Sequence, residues 1–378
     1  MDISHYHSGH FVKQIAYKSF SPSSICQEWV SSDSSLNALL SEANRYLGEL
    51  NGFSQVIPDI DFFIKMHVVK EATTSSRIEG TQTSIEEALR KRDDLSPEKR
   101  NDWEEVQNYI AAMNFAISSL ETLPLSSRLL RNIHQVLMQG VRGEHKQPGE
   151  FRNSQNWIGG VSLADAVFIP PHHTQIADLM SDLEIFLNED SLQVPHLIKI
   201  GMAHYQFETI HPFLDGNGRV GRLLITLYLV SKTLLTKPSF YLSDFFERNR
   251  NLYYQNLTSV RTQNSMLQWL KFFLVGVIET SQKAVKTFKE IILLRERTQK
   301  NILVLNKKLL NAQKLLQSLY TEPITNIAEI SQNLGISYQT ANSLVKDFVQ
   351  LGILIESTGY KRNRILEYKE YLQIFTNS

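Results

Sequence analysis

Residues 211–222 read His211-Pro212-Phe213-Leu214-Asp215-Gly216-Asn217-Gly218-Arg219-Val220-Gly221-Arg222, and the reading of this stretch decides the fold. Gly216, Gly218 and Gly221 satisfy the GxGxxG spacing of a dinucleotide-binding turn, which requires a preceding strand inside a βαβ unit. The residues that precede it, KIGMAHYQFETI, carry a helical pattern, and no parallel-sheet alternation surrounds them. The stretch therefore joins two helices. Residues 215–218 form the turn, and Arg219 opens a helix that continues through Leu223, Leu224, Leu227 and Tyr228.

A glycine-rich turn at a helix N-terminus offers free backbone N–H groups and the positive end of a dipole, which together favour anions. Arg219 and Arg222, three residues apart, lie on one side of that helix and can grip further phosphate oxygens. Asp215 supplies a carboxylate of the kind that holds Mg²⁺ together with phosphates. His211, at the end of the preceding helix, is placed to take a proton from an incoming hydroxyl. The combination implies phosphoryl or nucleotidyl transfer.

Outward from this stretch, helical periodicity dominates a chain of 378 residues, long enough for two or three domains. Leu36, Leu39, Leu40, Ala43, Leu47 and Leu50 recur at one-face spacing. A second helix runs from about residue 60 into SSRIEG, with Gly80 just past its end, and Ser84 with Glu87 forms the capping box of a third. Residues 149–171 are rich in Gly, Asn and Pro and predict a small β-hairpin flap between helices. Near the C-terminus, a short helix, a turn at Gly335, a Ser337-capped helix and β-prone segments predict a winged helix-turn-helix. The expected organisation is a mainly α protein: an N-terminal helical region over 1–100, a catalytic core over 101–286, a linker helix over 287–320 and the winged helix over 321–378.

Lys+Arg and Asp+Glu both total 39, so the chain has no net charge, which disfavours a protein built to coat nucleic acid. The single cysteine, Cys26, excludes an internal disulfide and a multi-thiolate metal site, in keeping with a reducing compartment. No run approaches the ~18 apolar residues of a membrane span, and MDISHYHSGH carries neither a basic nor an apolar leader segment. The expectation is a cytoplasmic protein with no membrane partner.

HPFLDGNGRVGR matches the Fic-domain motif HxFx(D/E)GNGRxxR at every defined position, and MAHYQFETI, FIPPHH and RNRNLYYQNL also resemble Fic-domain segments. The resemblance implies a Fic-fold helical bundle that moves AMP from ATP to Ser, Thr or Tyr hydroxyls of a target protein, with Mg²⁺. It implies His211 as base, Phe213 as the anchor of the loop and Asp215 as the Mg²⁺ ligand. Gly216, Asn217 and Gly218 would hold the α-phosphate, and Arg219 and Arg222 the distal phosphates. Val167 and Phe168 of the flap would cover the nucleotide, and Tyr254 would lie on the adenine side. Gly218 stands where kinase-like relatives carry lysine, which favours AMP transfer.

Ser75-Ser76-Arg77-Ile78-Glu79-Gly80 resembles the Fic inhibitory pattern (S/T)xxxE(G/N). The resemblance implies that Glu79 pairs with Arg222 and excludes the γ-phosphate, so the enzyme would be autoinhibited and capable of self-modification. Relatives commonly form homodimers. Two alternatives stand beside this reading: removal of AMP by the same site with Glu79 aligning a water, and a DNA-binding regulator that senses nucleotide. From residue 320 on, five basic residues face six acidic ones, so DNA contact rests on the turn Gly359-Tyr360-Lys361-Arg362-Asn363-Arg364.

Overall fold

A computed structural model describes residues 1–57, 59–140, 144–357, 359 and 364–376. The chain opens with a hairpin of β1 (Gly9–Lys13) and β2 (Lys18–Pro22), in antiparallel register from Gly9↔Pro22 to Lys13↔Lys18. The chain continues with α1 (Ser34–Val56), α2 (Ile60–Ile78), α3 (Ile85–Ala88), α4 (Arg100–Ser119), α5 (Ser127–Leu137), α6 (Ile176–Asn188), α7 (His196–Ile210) and α8 (Asn217–Ser231). Then follow α9 (Ser243–Arg248), α10 (Arg250–Gln263), α11 (Met266–Ile302) and α12 (Leu309–Thr321). The last part holds β3 (Ile324–Thr325), α13 (Ile327–Leu334), α14 (Tyr338–Gln350), β4 (Ile355–Glu356), β5 (Leu366–Glu367) and α15 (Lys369–Thr376).

Local signals set these boundaries. The Asp33 carboxylate accepts the Leu36 N–H at 2.7 Å and starts α1, whose Leu36, Ala43, Leu47 and Leu50 are buried. Ser84 and Glu87 close the expected capping box at α3. At the end of α2, Gly80 donates to the Arg77 carbonyl at 3.0 Å with a φ of +107°, which turns the chain out of the helix. The helix α7 is buried from Leu197 to its end, and α8 is buried as far as Leu229 apart from the half-buried Gly218. A helix hydrophobic all round belongs at the centre of a bundle, where it is surrounded by amphipathic partners. Here α6, α8 and α11 pack on α7, and α1 lies along α11. The 37-residue α11 runs without a break across residues 286 and 287, where the sequence places the join between core and linker.

In the C-terminal segment, an Asn326–Glu329 capping box opens α13, Gly335 closes it in the left-handed conformation, and Ser337 caps α14. A three-stranded antiparallel sheet in the order β3-β5-β4 joins the strand before the two helices to the two strands after them. Of the basic turn on which DNA contact depends, residues 360–363 lie outside the described residues. This segment docks back on the N-terminal helical region through Arg90–Glu367 at 3.1 Å and Lys65–Glu322 at 3.7 Å, with a further ion pair from Lys91 to Glu329.

The flap departs from expectation. Its hairpin pairing is reduced to one antiparallel bridge, Ile158↔Phe168. The cause is local: Gly159 and Gly160 both have positive φ, and the Asp165 carboxylate accepts the N–H groups of Val161 at 2.9 Å and Ser162 at 2.8 Å. That side chain satisfies the donors a ladder would use, so the strands part immediately after the bridge. Beyond it the chain attaches to the N-terminal hairpin, where the Phe20 N–H donates to the Ile169 carbonyl at 2.9 Å.

Candidate active site

The loop between α7 and α8 is shaped by side chains that satisfy its own backbone. His211 ends α7 in the left-handed conformation, with φ 51° and ψ 61°. Phe213 is fully buried. The Asn217 carboxamide accepts the Phe213 N–H at 2.8 Å and donates to the Phe213 carbonyl at 2.9 Å, and Asn156 donates to that same carbonyl at 3.0 Å. The side chain of Asn217 is thus committed to bracing the loop. Its backbone N–H at the start of α8 is the group left to serve the α-phosphate role expected of this residue. Gly216 has a φ of +74°, and an added Cβ would come within 2.9 Å of the Met138 sulfur, so the turn needs glycine on two counts.

His134, which carries no signal in the sequence, sits under this loop. Its ring stacks on Phe213 with centroids 3.8 Å apart and planes 7° from parallel. The Gly149 N–H donates to Nδ1 at 2.9 Å, so the proton is on Nε2, which donates to the Asp215 carbonyl at 3.1 Å. Burial holds the imidazole at about 4, consistent with a neutral ring. Phe213→Ala removes both the stack and the filling of this pocket. We expect a loss of about 3–5 kcal/mol in unfolding free energy, read by denaturant titration.

The two arginines of α8 both face carboxylates. Arg222, nearly all buried, donates from Nε to Ser75 Oγ at 2.8 Å, and from its terminal nitrogen to the Ser75 carbonyl at 2.9 Å and to Glu79 Oε1 at 2.7 Å. Burial pushes the Glu79 carboxyl up, but the Arg222 charge and hydrogen bond, then Arg219, outweigh it and leave the group below its ordinary value. Gly218 makes room for this pair, since a Cβ there would overlap Glu79 Oε1. Arg219 lies 3.4 Å from Glu105 and 3.8 Å from Asp215. A cavity of about 300 Å³ opens beside them, lined by Glu79, Thr81, Glu105, Met138, Asp215 and Arg219.

Burial, then the nearby Arg152 charge, holds His211 at about 4, so its imidazole is neutral at physiological pH. One helical turn earlier, Glu208 is buried with Oε1 lacking a partner, and desolvation pushes it up to about 7. Asp215, about half exposed, accepts the Gly216 N–H at 2.6 Å. Among the described residues no three His, Cys, Asp or Glu side chains cluster as a metal site. A half-exposed carboxylate at the mouth of a glycine-rich helix-start turn fits Mg²⁺, which takes one or two carboxylates and completes its shell with phosphate and water oxygens.

The remaining site residues divide. Val167 is exposed, as a covering residue would be, but the Phe168 ring is buried, 5.9 Å from Phe20 and beneath the Arg261 guanidinium at 3.9 Å. Phe168 therefore anchors the flap to the N-terminal hairpin, a correction forced by the strand period: if one neighbour faces out, the next faces in. Tyr253 is core and hydrogen-bonds to His204 Nε2 at 2.9 Å, whereas Tyr254 is 41% exposed and close enough to feel the Glu79 and Arg222 charges. His204 bonds the Gly221 carbonyl through Nδ1 at 2.8 Å, as expected of a packed histidine.

Comparison with known proteins agrees with this geometry. Residues 37–118 match the Fic/DOC family N-terminal region, and residues 124–229 match the Fic/DOC family domain. The chain carries a Fic domain. Its Fic region is similar to "Protein adenylyltransferase Fic" of Drosophila erecta, with 33% identity over 121 residues, 32% of this chain and 23% of that one. The same-named protein of Aedes aegypti is 34% identical over 125 residues, 33% of this chain and 22% of that one. The chain thus spans under a quarter of the length of these relatives. Among solved structures, a Fic family protein from Desulfovibrio desulfuricans G20 superposes with a TM-score of 0.57 at 19% identity, over 90% of this chain and 98% of that one. Fic-1 from C. elegans gives 0.54 at 19% identity, over 69% of this chain and 74% of that one. These two likenesses speak for the Fic fold. Among the described residues, no helix is long and apolar enough to cross a membrane.

Proposed function

We propose that this protein transfers AMP from ATP to a Ser, Thr or Tyr hydroxyl of a protein target, itself included, and that Glu79 holds the activity in check. The observation that carries the reading is the grip of Ser75 and Glu79 on Arg222, at the N-terminal end of α8 and beside the His211 loop. A phosphate bound at this turn needs that guanidinium, and the carboxylate already has it.

In the reaction, the target hydroxyl oxygen attacks the α-phosphorus, the bond from that phosphorus to the bridging oxygen breaks, and pyrophosphate leaves. The neutral His211 imidazole takes the hydroxyl proton. Backbone N–H groups at the start of α8 hold the α-phosphate oxygens, and Arg219 and Arg222 the departing ones. Bound to Asp215, Mg²⁺ would supply charge neutralisation to the phosphates. The exposed Val167 edge of the flap suits pairing with an extended target segment, and Tyr254 suits the adenine side. The three helical regions and the terminal winged helix are proposed as separate functional parts. The recognition helix of that winged helix, α14, has Lys346 and Asp347 as its charges, which favours a protein partner over DNA.

Incubation with Mg²⁺ and ATP labelled at either end tests the chemistry. Label from the α-position alone on protein is the expected result; label from the γ-position means phosphorylation and overturns the proposal.

A further inference from the structure

Arg152 is nearly all buried, and every hydrogen bond of its guanidinium goes to a backbone carbonyl. Nε donates to His211 at 2.9 Å, one terminal nitrogen to Pro171 at 2.6 Å and Ile210 at 3.4 Å, and the other to Ser154 at 3.1 Å. Its own backbone N–H donates to the Pro212 carbonyl at 2.9 Å. One residue therefore engages three consecutive carbonyls, 210 to 212, where α7 ends, and ties them to both stems of the flap. Burial lowers this guanidinium to about 10, so it stays charged at neutral pH.

A helix end is the place where carbonyls run out of partners and the dipole is negative, so a buried cation there is well matched. The end is also strained, because His211 adopts a left-handed conformation that non-glycine residues avoid. Such a conformation persists only when its surroundings over-determine it. We propose that Arg152 is a positioning residue for His211, holding the left-handed end of α7 that aims the imidazole. The inference deepens the reading of His211 as proton acceptor and rests on it.

The same contact has an electrostatic consequence. The groups acting on His211 are Arg152 from the flap stem, the Glu208 carbonyl from its own helix, the Glu79 carboxylate from the end of α2 and Arg261 from α10. After desolvation, Arg152 is the largest of them and lowers the imidazole, while Glu208 and Glu79 raise it. Removing the Arg152 charge therefore moves His211 upward.

The test compares Arg152→Gln and Arg152→Lys in the full chain, with His211 titrated by NMR and AMP transfer measured in a Glu79→Gly background. Arg152→Gln should raise the His211 midpoint by about one pH unit and move the acid limb of the rate profile with it. Arg152→Lys keeps the charge but loses the planar fork. It should leave the midpoint in place and lower kcat about tenfold with KM for ATP unchanged. An unmoved midpoint in Arg152→Gln together with full kcat in folded Arg152→Lys overturns the inference. Should Arg152→Gln fail to fold, the kcat-against-KM split in Arg152→Lys decides. The NMR midpoint is independent of turnover: a shift in a chain that transfers no AMP sinks the transfer reading alone, and no shift in an active chain whose Arg152→Lys variant keeps full kcat sinks this one.

Discussion

Glu79→Gly is expected to raise AMP incorporation by roughly 10- to 100-fold over the chain that keeps Glu79. The size of the effect follows from the bond that the substitution removes, since a hydrogen bond between charged groups is worth about 1.5–3 kcal/mol. Glu79 is about a third exposed, so solvent screening places the effect toward the lower end of that range. Residue 79 sits at the end of α2 with φ −88° and ψ 0°, a conformation glycine adopts without strain, and Ser75 still holds Arg222 after the change. The variant thus removes the competing carboxylate and leaves the arginine where the phosphate needs it. Incorporation of α-labelled ATP, scored per mole of protein, measures it. If Glu79 instead aligned a water for AMP removal, the variant would lose activity.

His211→Ala should lower transfer by about 10²- to 10⁴-fold, the usual contribution of a positioned general base, and should do so in either Glu79 background. The sign of the pH dependence follows from the environment. Burial and Arg152 hold the imidazole at about 4, so it is an unprotonated acceptor throughout the neutral range and charges only as pH falls through that value. Activity supported by His211 should therefore stay flat on going down from neutral pH to about 6 and fail well below it. A histidine at its ordinary value would already be losing activity there.

Much of this site is legible in the chain because its parts are local. The twelve residues 211–222 carry the anion turn, both arginines, the carboxylate and the base, and a capping box or a positive-φ glycine marks the ends of α2, α3 and α13. The Ser75–Glu79 pair is legible as a spacing, and the fold brings it 147 and 143 positions along the chain to Arg222. His134 and Arg152 are not legible. Each is one residue whose neighbours in sequence carry no motif, and its meaning comes from carbonyls 81 and 59 positions away. Phe168 is misread from sequence because a flap residue can face either the nucleotide or the N-terminal hairpin, and nothing in its neighbours reveals that Phe20 and Arg261 arrive behind it. The loop role of Asn217 has the same origin: a motif fixes the residue but not which of its groups does the binding.

The central claim is that one carboxylate restrains one phosphate-binding arginine. Its most direct measurement is α-label transfer by wild type, Glu79→Gly and the Glu79→Gly, His211→Ala double variant in one assay with Mg²⁺. The account predicts low incorporation in the first, high in the second and none in the third. Equal incorporation by wild type and Glu79→Gly would contradict it.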